Sequence, residues 1–188
     1  MLDTTSSLDE QADEFLLDTP AVRAFVADVR RTLAAHADVP AGLAALRSRF
    51  AALLADQTWL PDAFAAPYAA SGMGGGIGTW LLFRAGDSSL SLVSLVVPPG
   101  AQTPIHDHLA WGLVGLYRGT QDEDVYAERD GGLELVDRRA LEPGDFYTLL
   151  PPRDDIHRVR TTSPETSVSI HLLTNDIGCA ARHTWDPE

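Results

Sequence analysis

The stretch TPIHDHLAWGLVGLYRG, residues 103–119, places two histidines on either side of an aspartate, just before an apolar run. On an extended strand, side chains two residues apart point to the same side of the sheet. His106 and His108 are therefore predicted to project together while Asp107 faces away, and inside a barrel both imidazoles would enter one cavity. A simpler interpretation stays open here, in which one histidine is hydrogen-bonded in a core and the other is exposed.

The sequence around this stretch reads as a series of short strands separated by the turn sequences PPG, DGG, EPGD and SPE. Many short strands at regular spacing favour a closed antiparallel barrel or jelly roll, so we predict a mainly β protein. The predicted strands are WLLF (80–83), LSLVSLVV (90–97), WGLVGLY (111–117), DVYAE (124–128), LELVDR (133–138), FYTLL (146–150), HRVRT (157–161) and TSVSIHLL (166–173).

The first third of the chain has a helical pattern instead, from Thr19 to about residue 66. Thr19 is a good N-cap and Pro20 suits the first helical position, after which apolar residues recur at helical spacing in two runs. The glycine-rich segment SGMGGGIG (71–78) then predicts a flexible hinge. We expect one structural domain, in which an α-helical N-terminal segment (1–70) packs on a barrel formed by residues 71–188.

Composition excludes several classes of function. The net charge of −13 argues against a nucleic-acid partner, because neutralising phosphates requires a basic face. All 14 basic residues are arginine, so chemistry that requires a lysine, such as a Schiff base or a Walker-type phosphate loop, is excluded. The single cysteine, Cys179, cannot form an internal disulfide, and no apolar run is long enough to span a bilayer. We therefore expect a cytoplasmic protein without a membrane partner.

A third histidine, His157, lies in the downstream stretch EPGDFYTLLPPRDDIHRV (142–159). The order of H-x-H, then P-G-D, then a histidine resembles the two-part signature of the cupin superfamily, whose antiparallel strands bring the later histidine beside the earlier pair. Three histidines on one side of a metal leave open positions for substrate, which is typical of a catalytic site rather than a structural one.

Many cupins add a glutamate shortly after the second histidine, but the corresponding stretch here, LAWGLVG (109–115), contains no carboxylate. Three neutral imidazoles leave the charge of a divalent metal uncompensated, so such a site favours an anionic ligand such as a thiolate. Imidazole ligands alone suit zinc, copper, iron and nickel, and they do not fix the metal.

The strand SVSIHLL (167–173) sharpens the resemblance. From about residue 78 onward the chain resembles the cysteine dioxygenase family of cupin thiol dioxygenases, and in particular its bacterial 3-mercaptopropionate dioxygenase branch. The matching motifs are TPIHDH, WGLVGLYRG, PGDF, DIHRV, SVSIH and NDIGCAARHTWDP. The resemblance implies a cupin double-stranded β-helix in which His106, His108 and His157 bind Fe(II). It also implies that a small carboxylated thiol reacts with O₂ to give a sulfinate.

The same resemblance assigns roles beside the metal. Ser169 and His171 match the first two members of the family's Ser-His-Tyr relay, while Leu173 stands where the tyrosine is expected. Loss of that phenol predicts a pocket that is more apolar and roomier than usual. From the residues alone, Ser169 and His171 can also be a buried hydrogen-bonded pair that only supports the sheet.

Recognition of a substrate carboxylate requires a cation, and arginine suits it best. Arg182, in NDIGCAARH, matches the substrate-binding arginine of the 3-mercaptopropionate branch, although it can also be a solvated residue. The early-strand arginine of cysteine dioxygenases proper corresponds to Trp80, with Arg84 the nearest arginine. Two alternatives stay open: a metal-binding cupin that acts as a sensor or ligand-binding module, and another metal-dependent enzyme. The identity of the thiol and the oligomeric state are also open.

Overall fold

The computed structural model describes residues 12–70 and 74–185, so part of the predicted glycine hinge lies outside the described residues. It contains the helices α1 (Pro20–Ala35) and α2 (Val39–Ala55) and a 3₁₀ turn at Asp62–Phe64. The strands are β1 (Glu14–Phe15), β2 (Gly78–Arg84), β3 (Ser91–Val97), β4 (Ile105–His106), β5 (Gly112–Arg118), β6 (Gln121–Arg129), β7 (Gly132–Leu141), β8 (Phe146–Leu149), β9 (Ile156–Thr161), β10 (Ser167–Leu173) and β11 (Thr184–Trp185).

The strands form two antiparallel sheets that face each other. One sheet has the order β1-β2-β3-β10-β5-β8 and the other the order β11-β4-β9-β6-β7. Each predicted strand coincides with one of the longer strands, which confirms the mainly β architecture preceded by helices. The two-residue strands β1, β4 and β11 are too short to be recognised from a period-2 pattern.

The helices begin where their sequences provide caps. The Thr19 side chain accepts a hydrogen bond from the Val22 backbone N–H at 3.3 Å, and Asp38 does the same for Ala41 at 2.8 Å. The helical pattern was expected to reach residue 66, but α2 ends at Ala55. The next residue, Asp56, accepts hydrogen bonds from the Thr58 N–H and hydroxyl, at 2.9 and 2.6 Å, and this local turn competes with the helix.

Within the part of the chain that the structure describes, neither helix combines the length and hydrophobicity that a bilayer-spanning helix needs. Both helices instead cover the outer face of the six-stranded sheet. Gly115 of β5 allows this close approach, since a Cβ at that position would lie 2.5 Å from Leu54 Cδ1 of α2. Packing of the helices on the sheet therefore depends on a residue without a side chain.

Strand β10 shows how the sheet separates two environments. Val168, Ile170 and Leu172 point outward and join the large apolar core beneath the helices. The alternate residues, including Ser169 and His171, point into the space between the two sheets and are also buried. The polar residues of the predicted site thus lie on the inner face of a strand whose outer face is wholly apolar.

Candidate metal centre

Three histidines meet between the sheets. His106 is the last residue of β4 and pairs directly with His157 of β9. His108 lies two residues further along, and its ring centroid is 5.0 Å from that of His106 and 4.9 Å from that of His157. One ligand nitrogen from each ring lies within 4.8 Å of the other two, and all three side chains are buried. The structure therefore brings the predicted triad together.

The position of His108 has a different cause from the one predicted. Strand β4 ends at His106, so strand alternation does not orient His108. Asp155 does this instead, because its carboxylate accepts hydrogen bonds from the backbone N–H groups of His108 and Leu109 at 2.9 and 3.1 Å. Its Oδ1 also lies 3.4 Å from Nδ1 of His108. Burial raises the pKa of Asp155, but the hydrogen bonds from His108 outweigh it and hold that pKa below its usual value.

The ring nitrogens of the triad are arranged to leave lone pairs for a cation. Nδ1–H of His106 donates to the Pro104 carbonyl at 3.0 Å, which leaves its Nε2 unprotonated. Burial, followed by the neighbouring His108, lowers the pKa of His106 to about 3, and burial lowers the pKa of His157 well below its usual value. Nε2 of His157 is buried and has no hydrogen-bond partner among the described residues. Neutral, inward-facing imidazoles of this kind fit a divalent transition metal.

The predicted relay residues lie beside the triad. Ser169 Oγ and His171 Nε2 are 2.9 Å apart, and the His171 ring centroid is 5.8 Å from that of His108. Burial, then the nearby His108, lowers the pKa of His171 well below its usual value, so the ring is neutral. His171 lines a small cavity of about 30 Å³ together with His106 and His108. The hydrogen bond between Ser169 and His171 fixes the orientation of the His171 ring at this cavity.

Arg182 lines the same cavity and is half-buried. All the other arginines except Arg47 form an ion pair with an aspartate or a glutamate. Arg47 instead donates a hydrogen bond to Thr148 and stacks on the ring of Phe146. No carboxylate among the described residues lies within ion-pair distance of the Arg182 guanidinium. The cavity is therefore bordered by a cation that has no counterion within ion-pair distance in residues 12–70 and 74–185.

The segment that contains Arg182 is hydrogen-bonded to Asp107, between His106 and His108. Asp107 faces away from the cavity, as predicted, and accepts two hydrogen bonds from His183, from the backbone N–H at 2.8 Å and from Nδ1 at 2.6 Å. Strand β11 then pairs with β4, with Thr184 opposite His106. The aspartate between the two histidines thus fixes the chain immediately after Arg182.

Two other residues predicted to bind substrate lie elsewhere. Trp80 points outward and donates from Nε1 to the Ala66 carbonyl at 2.8 Å, while Arg84 forms an ion pair with Glu14 at 2.9 Å. Within the described residues neither lines the cavity, and from β2 only Thr79 does. Strand alternation directs Thr79 toward the cavity and Trp80 toward the helices, so the structure does not bring Trp80 or Arg84 to this cavity.

Leu173 points inward, two residues beyond His171, but it opens no additional space. It is fully buried in an apolar cluster with Val93, Val114 and Leu149, and Tyr147 packs against that cluster. Among the described residues that line the cavity, Leu173 is absent. Neighbouring apolar side chains thus fill the volume around Leu173.

Sequence reasoning missed a buried carboxylate behind the triad. Glu123 of β6 is 1% exposed and accepts a hydrogen bond from the Tyr147 hydroxyl at 3.1 Å, and that hydroxyl lies 3.2 Å from Nδ1 of His157. Burial raises the pKa of Glu123 to about 7, although the hydrogen bond from Tyr147 opposes this shift. No local motif marks Glu123 or Tyr147: pairing of β6 with β9 brings Glu123 near His157, and Tyr147 reaches it from β8 of the other sheet. Asp155 could have been suspected from its place in DDIHRV (154–159), two residues before the ligand.

No family model matches the chain. Among solved structures, it is similar to Peruvianin-I, a cysteine peptidase from Thevetia peruviana latex, with 18% identity over 72% of this chain and 92% of that one and a TM-score of 0.51. It is also similar to an uncharacterized protein with a double-stranded β-helix domain from Klebsiella pneumoniae, with 14% identity over 70% of this chain and 99% of that one and a TM-score of 0.50.

A cupin domain of an XRE family transcriptional regulator from Enterobacter cloacae is more distant, at 19% identity over 52% of this chain and 94% of that one, with a TM-score of 0.39. At such identities the similarity concerns the fold alone. The chain has the cupin double-stranded β-helix fold expected from its motifs, with a histidine triad suited to a metal between its sheets.

Proposed function

We propose that the protein is a non-haem Fe(II) thiol dioxygenase that converts a small carboxylated thiol, similar to 3-mercaptopropionate or cysteine, and O₂ to the sulfinate. One observation carries this proposal: two histidines of the triad, His106 and His108, line the same small cavity as Arg182, which has no ion-pair partner among the described residues. A ligand with an anionic sulfur at one end and a carboxylate at the other matches both groups. The dioxygenase motifs of the sequence support the same reaction.

His106, His108 and His157 would hold the iron, which when bound supplies a Lewis acid with open positions for both reactants. The three neutral imidazoles do not offset the charge of the metal, and this favours binding of the substrate as a thiolate. The carboxylates of Asp155 and Glu123 lie beside Nδ1 of His108 and His157, where they can orient the ligands without occupying a coordination position.

Arg182 would bind the substrate carboxylate through charge-assisted hydrogen bonds, each worth about 1.5–3 kcal/mol. The apolar side chains of Val93, Leu95 and Ile177 line the cavity between the charged groups and suit a short carbon chain. The cavity volume of about 30 Å³ favours a small ligand.

Ser169 and His171 would orient the bound reactants. The Ser169 hydroxyl can donate a hydrogen bond to Nε2 of His171 or accept one from it, depending on the tautomer of the ring. The pair can therefore present either a donor or an acceptor at the cavity. A second-sphere hydrogen bond of this kind fixes geometry near the metal without changing the ligand set.

The test is anaerobic loading with Fe(II), followed by O₂ uptake with 3-mercaptopropionate, cysteine and the carboxylate-free thiol cysteamine. We expect one O₂ consumed per sulfinate formed, with both atoms of ¹⁸O₂ found in the product by mass spectrometry, and preference for a carboxylated thiol. Stoichiometric iron binding without thiol-dependent O₂ uptake would refute the proposal.

One observation favours a second candidate, a metal-binding cupin that acts as a ligand-binding or sensor module. Leu173 replaces the relay tyrosine, and no tyrosine is among the described residues that line the cavity. In that case the metal-loaded protein would bind small carboxylates or thiols in calorimetry but leave them unchanged. The O₂-uptake assay separates the two functions.

A further inference from the structure

We propose that Glu123 and Tyr147 are positioning residues that hold His157 in the orientation and tautomer required of a metal ligand. This inference rests only on the metal-binding part of the proposed function. It assigns a role to a buried carboxylate and a buried hydroxyl on the opposite side of His157 from the cavity.

The hydrogen-bond directions follow from the donors available. The Tyr147 hydroxyl has one proton, which it donates to Oε1 of Glu123 at 3.1 Å. Toward Nδ1 of His157, at 3.2 Å, its oxygen must therefore accept. Nδ1 of His157 then carries the proton, and the lone pair lies on Nε2, the buried nitrogen that has no partner among the described residues. The relay fixes which nitrogen is available to a cation.

Burial makes a purely structural role for these groups costly. Glu123 is 1% exposed, and its second oxygen, Oε2, lies 3.9 Å from Nδ1 of His157 without a hydrogen-bond partner among the described residues. A buried carboxylate with an unsatisfied oxygen destabilises a fold relative to an apolar side chain of similar volume. A histidine that binds a metal through one ring nitrogen needs an acceptor for the N–H of the other. This need gives Glu123 and Tyr147 a function that packing alone does not.

The other side of the relay is also fixed. The Arg139 guanidinium lies 4.9 Å from the centroid of the Tyr147 ring and is held by Asp137 and Asp154, at 3.0 and 2.5 Å. The Tyr147 ring is thus held between a cation and the apolar cluster inside the barrel. A ring confined in this way keeps its hydroxyl at a constant distance from His157.

Each ligand has its own partner, and that of His157 is distinct. His106 donates to the Pro104 carbonyl, and His108 lies beside Asp155. Of the three ligands, only His157 is held by two side chains in series, Tyr147 and then the buried carboxylate Glu123. Glu123 thereby places a carboxylate near the metal site from β6, although the stretch after the second histidine has none. Outer-sphere carboxylates orient histidine ligands and increase their basicity.

The first experiment measures Co(II) affinity by chelator competition, which requires neither thiol nor O₂. We expect Tyr147→Phe to weaken binding by roughly ten- to a hundredfold, because Nδ1–H of His157 loses its acceptor. The matched control is Tyr117→Phe, which removes a buried hydroxyl that donates to the Asp56 carbonyl beneath the helices, remote from the triad. It should bind Co(II) as the wild type does. Equal affinities for wild type and Tyr147→Phe would overturn the inference.

The second variant, Glu123→Gln, retains an oxygen that can accept from Tyr147 but removes the charge. Its Co(II) affinity should fall to about a tenth of the wild-type value, at the lower end of the range expected for Tyr147→Phe. Asp124→Asn is the control, since the adjacent residue on β6 is paired with Arg158 at 2.6 Å rather than with the triad. A fall in the control as large as that in Glu123→Gln would count against the relay.

A third measurement does not depend on any variant folding. In Zn(II)-loaded protein, long-range ¹H–¹⁵N NMR should show His157 protonated on Nδ1 and coordinated through Nε2. Protonation on Nε2 would overturn the inference. Because these readouts use metal binding alone, a protein that passes them but oxidises no thiol would refute the proposed function and leave the relay intact.

Discussion

The two faces of the six-stranded sheet carry the same burial but different chemistry. Along β10, Ile170 is fully buried under the helices, and His171, one residue later, is equally buried between the sheets. Under the helices the contacts are apolar and non-directional. Between the sheets they are specific pairs, such as Ser169 with His171 at 2.9 Å. The outer face therefore determines stability and the inner face determines binding, and mutations should separate the two.

The largest effect should come from removing a ligand of the triad. We expect His157→Ala to lose stoichiometric iron and essentially all thiol-dependent O₂ uptake, because two imidazoles bind the metal far more weakly than three. Iron content and activity are the measurements. His36→Ala, at the exposed end of α1, is the control and should retain both. Full iron occupancy in His157→Ala would exclude the triad as the metal site.

Truncation on the outer face should give the opposite result. Ile170→Ala leaves a cavity under the helices and should lower the free energy of unfolding by about 2–5 kcal/mol. The remaining folded protein should bind iron with wild-type stoichiometry. Urea denaturation and metal analysis test this, and a loss of metal from folded Ile170→Ala protein would show that the two faces are coupled.

Two arginines, Arg84 of β2 and Arg182 shortly before β11, sharpen the comparison for the substrate. Arg182→Ala should reduce kcat/KM for a carboxylated thiol by roughly ten- to a hundredfold and leave a neutral thiol such as cysteamine nearly unaffected. Arg84→Ala removes an ion pair with Glu14 away from the cavity and should affect neither substrate. Equal losses on both thiols for Arg182→Ala, or a selective loss for Arg84→Ala, would contradict the assignment.

A smaller effect is expected for the hydrogen-bonded pair of Ser169 and His171 on β10. His171→Gln retains a polar group of similar reach but changes its hydrogen bonding to Ser169, so turnover should fall by roughly tenfold with iron retained. Steady-state kinetics at matched iron content provides the measurement. Unchanged turnover would show that Ser169 and His171 only support the sheet.

The smallest effect on turnover is expected at Leu173. Leu173→Tyr must fit a larger ring among Val93, Val114 and Leu149, which should lower the free energy of unfolding by about 1–3 kcal/mol. Because Leu173 does not line the cavity, kcat should change little. A large change in kcat or in substrate preference would show that the new phenol reaches the reactants.

The sequence by itself determined much of this protein. Helix caps at Thr19 and Asp38, the period-2 runs and the turn residues specify the elements, because these signals are local. The histidine motifs also identified the triad, since the spacing of His106 and His108 and the later His157 match a recognisable pattern. The strand that was expected to orient His108 ends too early, however, so the three histidines meet as predicted but for a partly different reason.

Only the tertiary structure decided what surrounds the triad. Asp155 orients His108 across 47 residues, Glu123 lies near His157 because β6 pairs with β9, and Tyr147 reaches His157 from the opposite sheet. The choice of Arg182 over Arg84 as the cavity cation also depends on tertiary contacts, because Asp107 holds the chain next to Arg182 and Glu14 pairs with Arg84. A shift of one residue in register exchanges the two faces of a strand, and sequence periodicity does not specify the partner strand or its register.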